Sequence, residues 1–211
     1  PTLAVLITRS QYQDLRRRYP DAALSAIVLD QPPERQLALL RAVLPHGRKI
    51  GVLFGPQTQV HADDFDDAAA RAGLDLVGKE VSVASDLMPA LKQALESADA
   101  LIALADPLLS TSAAARSLLL SSYRYRRPVV AYSQAYVDAG ALAAVFSRPG
   151  DIARDVADWL HEMRDDAGHV PQVRAPRHFD IAINHQVARA LNLDVADAAT
   201  VMARLREETR R

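Results

Sequence analysis

Apolar residues in this chain form short runs that alternate with segments of helical periodicity. The runs predict strands at residues 3–8, 25–29, 49–54, 76–83, 99–105, 128–132, 142–147 and 179–184. Apolar positions three or four residues apart predict helices at residues 33–44, 59–72, 86–98, 111–126, 151–165, 185–192 and 196–209. Several runs are apolar at consecutive positions, as expected when helices cover both faces of a parallel sheet. Strands and helices that alternate in this way indicate an α/β fold.

Residue types at the ends of the predicted helices support these boundaries. Pro33 is typical of the first position of a helix, and Gly73 stands where a left-handed glycine would end one. We expect Ser85 to cap the N-terminus of the helix at 86–98. The segment 168–178 has two prolines and no periodicity, which predicts a linker-like return of the chain.

Composition excludes several classes of protein. The chain has 25 Lys and Arg against 26 Asp and Glu, and this near-neutral balance argues against a non-specific nucleic-acid binder. No apolar run reaches the ~18 residues of a membrane-spanning helix. The lack of cysteine excludes disulfides, thiolate catalysis and cysteine-bound metals, and it leaves the compartment open.

The motifs of common catalytic and cofactor sites are missing. The segment 55–60, GPQTQV, has neither the second glycine nor the lysine of a phosphate-binding loop, and no G-x-G-x-x-G or G-x-S-x-G motif occurs. The six histidines lack metal-ligand spacing. The acidic run 61–67 indicates a solvated helix start rather than a calcium loop. The basic and aromatic run 123–127 indicates favourable charge at a helix C-terminus. We therefore predict no catalysis, no cofactor and no bound metal.

Small polar residues follow several of the predicted strands. In an open parallel sheet, ligands bind beyond the carboxyl ends of the strands, so such residues are candidates for contacts with a small polar ligand. The candidates are Thr8, Ser10, Gly55, Gln57, Thr58, Asp106, Tyr132, Ser133 and Gln134. Turns and helix N-caps select the same residue types, so each position also has a purely structural interpretation.

Several phrases of the sequence together resemble a known family. They are PERQLALLRAVLP (33–45), KIGVLFGP (49–56), ADALIALADPLL (98–109), RRPVVAYSQAYVDAGALAAVFSRPGDIARDVADWL (126–160) and FDIAINHQVARALNL (179–193). Their order and spacing resemble the substrate-binding proteins of ABC importers, in the branch that includes tryptophan-binding and other aromatic-amino-acid-binding members. The resemblance implies the type I periplasmic-binding-protein fold. This fold has two Rossmann-like lobes with parallel sheets flanked by helices, which close around a ligand.

The resemblance also implies a division of the chain. We expect residues 1–46 to form part of the first lobe, 47–147 the second lobe, and 148–211 a return crossover with C-terminal helices. In the family a βαβα stretch precedes the segment that resembles residues 1–30. Because this chain starts at Pro1 directly before an apolar run, we expect an N-terminal portion to be missing and the first lobe to be incomplete. The resemblance further implies a periplasmic location, a membrane anchor in the missing portion and an ABC permease as partner, and we expect a monomer.

The leading hypothesis is a non-enzymatic solute receptor with an amino-acid-like ligand in a cleft between the lobes. A zwitterion needs an acceptor for its ammonium group and donors for its carboxylate. We expect Asp106 to be the acceptor. The expected hydroxyl donors are Ser10, Thr58 and Ser133, and the expected apolar wall is Tyr132, Tyr136 and Phe146. Two alternatives stay open: a ligand-sensing or partner-binding domain of a regulatory protein, and a small α/β enzyme.

Overall fold

Two separate sheets carry the strands in the computed structural model, which describes residues 2–165 and 172–208. Pro1, the part of the predicted return segment at 168–171, and residue 209 of the last predicted helix lie outside the described residues. Within the described ranges, none of the helices combines the length and apolarity that crossing a membrane requires.

Each of two compact units is built from two stretches of the chain. The first unit comprises Pro1–Gln31 and Phe146–Asp180, and the second unit comprises Pro32–Val145 and Ile181–Arg211. Residues 32–46, which the sequence assigned to the first lobe, belong to the second unit. Residues 148–180, which the sequence assigned to the return crossover, belong to the first unit.

The strands and helices follow the predicted alternation. In chain order they are β1 (Thr2–Ile7), α1 (Arg9–Arg18), β2 (Leu24–Val28), α2 (Pro33–Val43), β3 (Lys49–Phe54), α3 (Ala62–Ala72), β4 (Asp75–Glu80), α4 (Leu87–Ser97), β5 (Ala100–Ile102), α5 (Ser112–Arg124), β6 (Val129–Ala131), α6 (Gln134–Asp138), β7 (Ala143–Phe146), α7 (Pro149–Asp165), β8 (Asp180–Ile183), α8 (His185–Ala190) and α9 (Ala198–Glu208). Short 3-10 turns at Gln59–His61 and Ala84–Asp86 precede α3 and α4. The predicted α/β fold is confirmed.

The apolar pattern predicts neither α1 nor α6. None of the residues in α1 is buried, so this helix has no apolar stripe to detect. Its start depends on a capping box instead: the Thr8 hydroxyl accepts from the N–H of Gln11, and the Gln11 side chain accepts from the N–H of Thr8. Helix α6 spans only Gln134–Asp138, which is too short for a helical period to be visible.

Two of the three predicted helix ends are confirmed and one is wrong. Helix α2 begins at Pro33, and Gly73 ends α3 in the left-handed region with φ 67°. The prediction of Ser85 as an N-cap is wrong, because this residue lies within the 3-10 turn that precedes α4. The Asp86 carboxylate accepts from the N–H of Val83 at 3.1 Å and holds that turn instead.

The second unit contains a six-stranded sheet in the order β4-β3-β5-β6-β7-β8. β3 pairs in parallel with β4 and β5, and the pairs β5–β6 and β6–β7 are also parallel. Ile50, Leu101, Val130 and Ala144 in the inner strands are each at most 1% exposed. Burial on both faces of the sheet explains why these strands are apolar at consecutive positions.

The first unit contains a parallel two-stranded sheet of β1 and β2. Its core consists of Ile27 from β2 with Ile152 and Trp159 from α7, and Leu3 and Val5 of β1 pack against it. Two strands alone bury too little apolar surface to be stable in water, so the sheet depends on the side chains that α7 contributes.

A buried carboxylate connects α7 to the return segment of the first unit. Asp155 is 0% exposed and accepts hydrogen bonds from the N–H groups of Arg177 and His178, and its Oδ1 lies 3.0 Å from Nδ1 of His178. Asp158, on the same helix, is 47% exposed and 4.0 Å from that nitrogen. Asp155, Asp158 and His178 each offer one atom that could bind a metal ion, and these atoms lie within 4.8 Å of one another. Protein donors already occupy both oxygens of Asp155, which indicates a structural role.

We predict that Asp155→Ala lowers the free energy of unfolding of the first unit by about 2–3 kcal/mol. The substitution removes the acceptor of the Arg177 and His178 N–H groups and leaves space inside the unit. Fluorescence of Trp159, the single tryptophan of the chain, reports unfolding of this unit in a urea titration.

Asp158→Ala is the matched control, because it removes the same kind of side chain from the same helix. Its expected effect is below about 0.5 kcal/mol, as for most exposed substitutions. Equal effects of the two substitutions would contradict the structural role of Asp155.

Candidate functional site

Most of the predicted ligand residues lie at one edge of the sheet in the second unit. β3, β5 and β6 run parallel and end at Phe54, Ile102 and Ala131, so the loops that follow them reach the same edge. These loops and the start of α6 contain the predicted residues Gly55, Gln57, Thr58, Asp106, Tyr132, Ser133 and Gln134. We call them the strand-end residues of the second unit.

Asp106 is the centre of a hydrogen-bond network among the strand-end residues. Its side chain is 1% exposed. Oδ2 accepts from the N–H of Gln57 at 2.8 Å, from the N–H of Thr58 at 3.1 Å and from the Thr58 hydroxyl at 3.2 Å. Oδ1 accepts from the N–H of Leu108 at 2.9 Å. The carboxylate therefore joins the loop after β3 to the turn after β5, and its contact with a ligand stays a prediction.

Gly55 allows the loop after β3 to approach Asp106 closely. A Cβ atom at this position would lie 2.2–2.5 Å from the carboxylate atoms of Asp106, which no side chain tolerates. The N–H of Gly55 donates to the hydroxyl of Thr58 at 2.9 Å, and Thr58 is only 4% exposed. Gly55 and Thr58 thus determine the shape of the loop. Gln57, which lies between them in the sequence, is exposed to solvent.

Two tyrosines form an aromatic pair at the end of β6. The ring centroids of Tyr132 and Tyr136 are 5.2 Å apart with an interplanar angle of 57°. Tyr136 is 7% exposed, and its burial raises the pKa of its phenol well above the ordinary value. Tyr132 is half-buried, and its hydroxyl donates to Oγ of Ser110 at 2.7 Å. The Tyr136 phenol is therefore neutral at physiological pH, and the half-buried ring of Tyr132 has accessible surface.

Ser133 and Gln134 start helix α6 next to this aromatic pair. The Ser133 hydroxyl accepts from the N–H of Tyr136 at 3.3 Å, so Ser133 is the N-cap of α6. Gln134 is exposed, and its Nε2 donates to Oδ1 of Asp138 at 2.9 Å. Ser133 thus has the structural role that the sequence offered as the alternative, and a role of either residue in binding stays a prediction.

The first unit has its own polar residues beyond β1. Thr8 caps α1 together with Gln11, and Ser10 is half-buried in the first turn of that helix. The N–H of Arg9 donates to Oδ2 of Asp30 at 2.7 Å, which ties the start of α1 to the end of the neighbouring strand. The roles of Thr8 and Ser10 in ligand binding stay predictions.

Sequence reasoning missed two residues of these edges. Asp30 follows the predicted strand 25–29, so the rule that found the other strand-end residues could have found it as well. Ser110 lies before α5 in a turn without any motif, and only folding brings its hydroxyl to Tyr132. Of the predicted apolar wall, Tyr132 and Tyr136 lie together, whereas Phe146 belongs to the first unit, with the Arg148 guanidinium 5.9 Å from its ring centroid.

Known proteins share both the fold and part of the sequence. The chain is 24% identical over 174 residues to the tyrosine-binding protein of Clostridioides difficile (strain R20291), over 80% of this chain and 49% of that protein. The chain thus spans about half the length of this relative. The structure of the ABC domain from Streptococcus pneumonia in complex with L-Trp aligns with a TM-score of 0.72 at 18% identity, over 97% of this chain and 72% of that one.

A second solved structure has a similar fold. A conserved domain protein from Vibrio cholerae O1 biovar El Tor aligns with a TM-score of 0.67 at 24% identity, over 86% of this chain and 61% of that one. The predicted type I periplasmic-binding-protein fold is confirmed. A family model described as ABC transporter substrate binding protein matches residues 27–205, which is most of the sequence. The chain therefore belongs to the ABC transporter substrate binding protein family.

Proposed function

We propose that this chain is the solute-binding part of an ABC import system and binds a small, amino-acid-like ligand at its strand-end residues. The observation that carries the proposal is the hydrogen-bonded polar edge around Asp106 in a member of the substrate-binding family. The name of the tyrosine-binding relative and the L-Trp complex of the structural neighbour support an amino acid as the ligand.

The hydrogen bonds of Asp106 determine which groups are free to contact this ligand. The N–H groups of Gln57, Thr58 and Leu108 all donate to Asp106, so the backbone of these loops has few donors left for a ligand carboxylate. Recognition then depends on exposed side chains, among them the amide of Gln57 and the residues at the start of α6. We propose that Asp106 acts mainly through the loop that it holds, and that its negative charge favours the ligand ammonium group nearby.

Family membership supports the rest of the assignment. We propose that the protein works without catalysis, outside the cytoplasmic membrane, as a monomer that delivers its ligand to an ABC permease. The hydroxyl, amide and carboxylate groups at the strand ends suit the binding of a polar solute. Transport would be abolished by substitutions that abolish ligand binding, which makes binding the property to measure first.

We expect calorimetric titration of the full chain to detect binding of at least one aromatic α-amino acid with a Kd of about 10 μM or tighter. The same ligand should raise the melting temperature, because it binds the folded state only. D-Allose, the sugar bound in one neighbour of the same fold class, is the control ligand and should not bind. Binding of the sugar without binding of any amino acid would contradict the proposed ligand class.

We expect Asp106→Ala and Gln57→Ala to weaken binding for different reasons. Asp106→Ala leaves buried N–H groups without an acceptor, so it should lower the free energy of unfolding by about 2–4 kcal/mol and weaken binding about 10- to 150-fold. Gln57→Ala removes only an exposed amide, so it should weaken binding about 3- to 10-fold and leave stability unchanged.

Calorimetry and thermal denaturation of both variants separate these effects. The exposed Gln93→Ala on α4 is the matched control for Gln57→Ala, with no expected change in either quantity. Unchanged affinity in Asp106→Ala would show that this carboxylate is only a turn residue, and the assignment of the edge around it would fail.

A further inference from the structure

Ser110 connects the Asp106 network to the aromatic pair. The N–H of Ser110 donates to the backbone carbonyl oxygen of Asp106 at 2.8 Å, and the N–H of Leu109 donates to the same oxygen at 3.0 Å. The backbone of Asp106 therefore holds the turn that contains Ser110, and the carboxylate of Asp106 holds the loop after β3. On the other side, Oγ of Ser110 accepts from the hydroxyl of Tyr132 at 2.7 Å.

These contacts form one continuous path across three strand ends. It starts at Gln57 and Thr58 after β3, passes through Asp106 and Ser110 after β5, and ends at Tyr132 after β6. Strands β3, β5 and β6 are neighbours in the sheet, so the path crosses it in spatial order. Each step is a hydrogen bond of 2.7–3.1 Å, a normal length for such groups.

Two neighbouring residues, Tyr136 and Ser110, orient the Tyr132 side chain. Tyr136 is buried and contacts one part of the Tyr132 ring, and the Ser110 hydroxyl holds the phenol oxygen. A tyrosine that is half-buried would otherwise sample several side-chain rotamers, and ordering it on binding would cost free energy. A hydrogen bond that selects one rotamer beforehand reduces that cost.

We infer that Ser110 is a positioning residue that orients Tyr132 as the aromatic contact of the ligand. This inference rests on the proposed binding of an amino acid, and it adds the residue that makes the site selective for aromatic side chains. Aromatic pairs attract each other in offset or edge-to-face geometries, so the affinity for an aromatic ligand depends on how the Tyr132 ring is held. An aliphatic ligand of similar size depends much less on that orientation.

A double-mutant cycle of Ser110→Ala and Tyr132→Phe tests this inference by calorimetry. Each single substitution removes the same hydrogen bond and should weaken binding of the best aromatic amino acid about 3- to 10-fold. The double variant should bind no more weakly than the weaker of the two single variants. The affinity for leucine should change less than about twofold, so that the ratio of aromatic to aliphatic affinity falls.

Two further variants separate positioning from a general effect on folding. Ser110→Thr keeps the hydroxyl and should retain at least half of the wild-type affinity. Ser112→Ala removes a hydroxyl two positions along the chain, from a residue that is also exposed at the start of α5, and should change neither affinity nor melting temperature. The melting temperature of Ser110→Ala should stay within about 2 °C of the wild type, because Ser110 is exposed.

Four results would count against the inference, and they differ in what they overturn. Wild-type affinity in Ser110→Ala, or losses that add up in the double variant, would overturn the role of Ser110 and leave the proposed function intact. Equal losses for leucine and for the aromatic ligand would overturn the selectivity. No binding of any amino acid by the wild-type chain would overturn both the proposed function and this inference.

Discussion

The burial of one carboxylate governs the structure of the candidate site. A charged group without partners is costly inside a protein, so Asp106 at 1% exposure requires donors on both of its oxygens. The loop after β3 and the turn after β5 supply these donors through the N–H groups of Gln57, Thr58 and Leu108. Two loops that are far apart in sequence are thereby held in one geometry, and Gly55 is the residue whose missing side chain permits it.

The hydrogen bonds to Asp106 limit which backbone N–H groups at this edge are available to a ligand. Backbone N–H groups at strand ends commonly bind ligand anions, yet here three of them bind an anion that belongs to the protein. Under the proposed function, recognition would therefore depend on the side chains that these loops present. Hydrogen bonds that hold the loops in one geometry beforehand would reduce the conformational entropy that the loops lose when a solute binds.

The first unit also contains a buried carboxylate whose oxygens accept hydrogen bonds from backbone N–H groups. Asp155 on α7 is fully buried, and the N–H groups of Arg177 and His178 satisfy its oxygens. The result is structural: the return segment is fastened to the helix that supplies Ile152 and Trp159 to the core. A two-stranded sheet is marginal by itself, so this unit depends on how firmly α7 is connected to the rest of it.

The amino-acid sequence by itself determined the succession of strands and helices and most of the strand-end residues. Burial on both faces leaves a strong signal in strands such as β3 and β6, and a Gly at the end of α3 leaves another. Elements without buried residues leave no such signal, which is why α1 was not predicted from its apolar pattern. The prediction of Ser85 as the N-cap of α4 was wrong for another reason: only the folded chain shows that a 3-10 turn at Ala84–Asp86 precedes this helix.

Only the tertiary structure decided which hydrogen bonds the strand-end residues make. The sequence identifies Asp106 as an acceptor at a sheet edge, but whether its carboxylate points to solvent or to a neighbouring loop depends on residues 49 positions away. Ser110 and Tyr132 are 22 positions apart and share no motif, so their hydrogen bond exists only because β5 and β6 are adjacent in the sheet. Local sequence specifies residue types and backbone preferences, whereas the pairing of polar groups across strands depends on distances that only the packed fold creates.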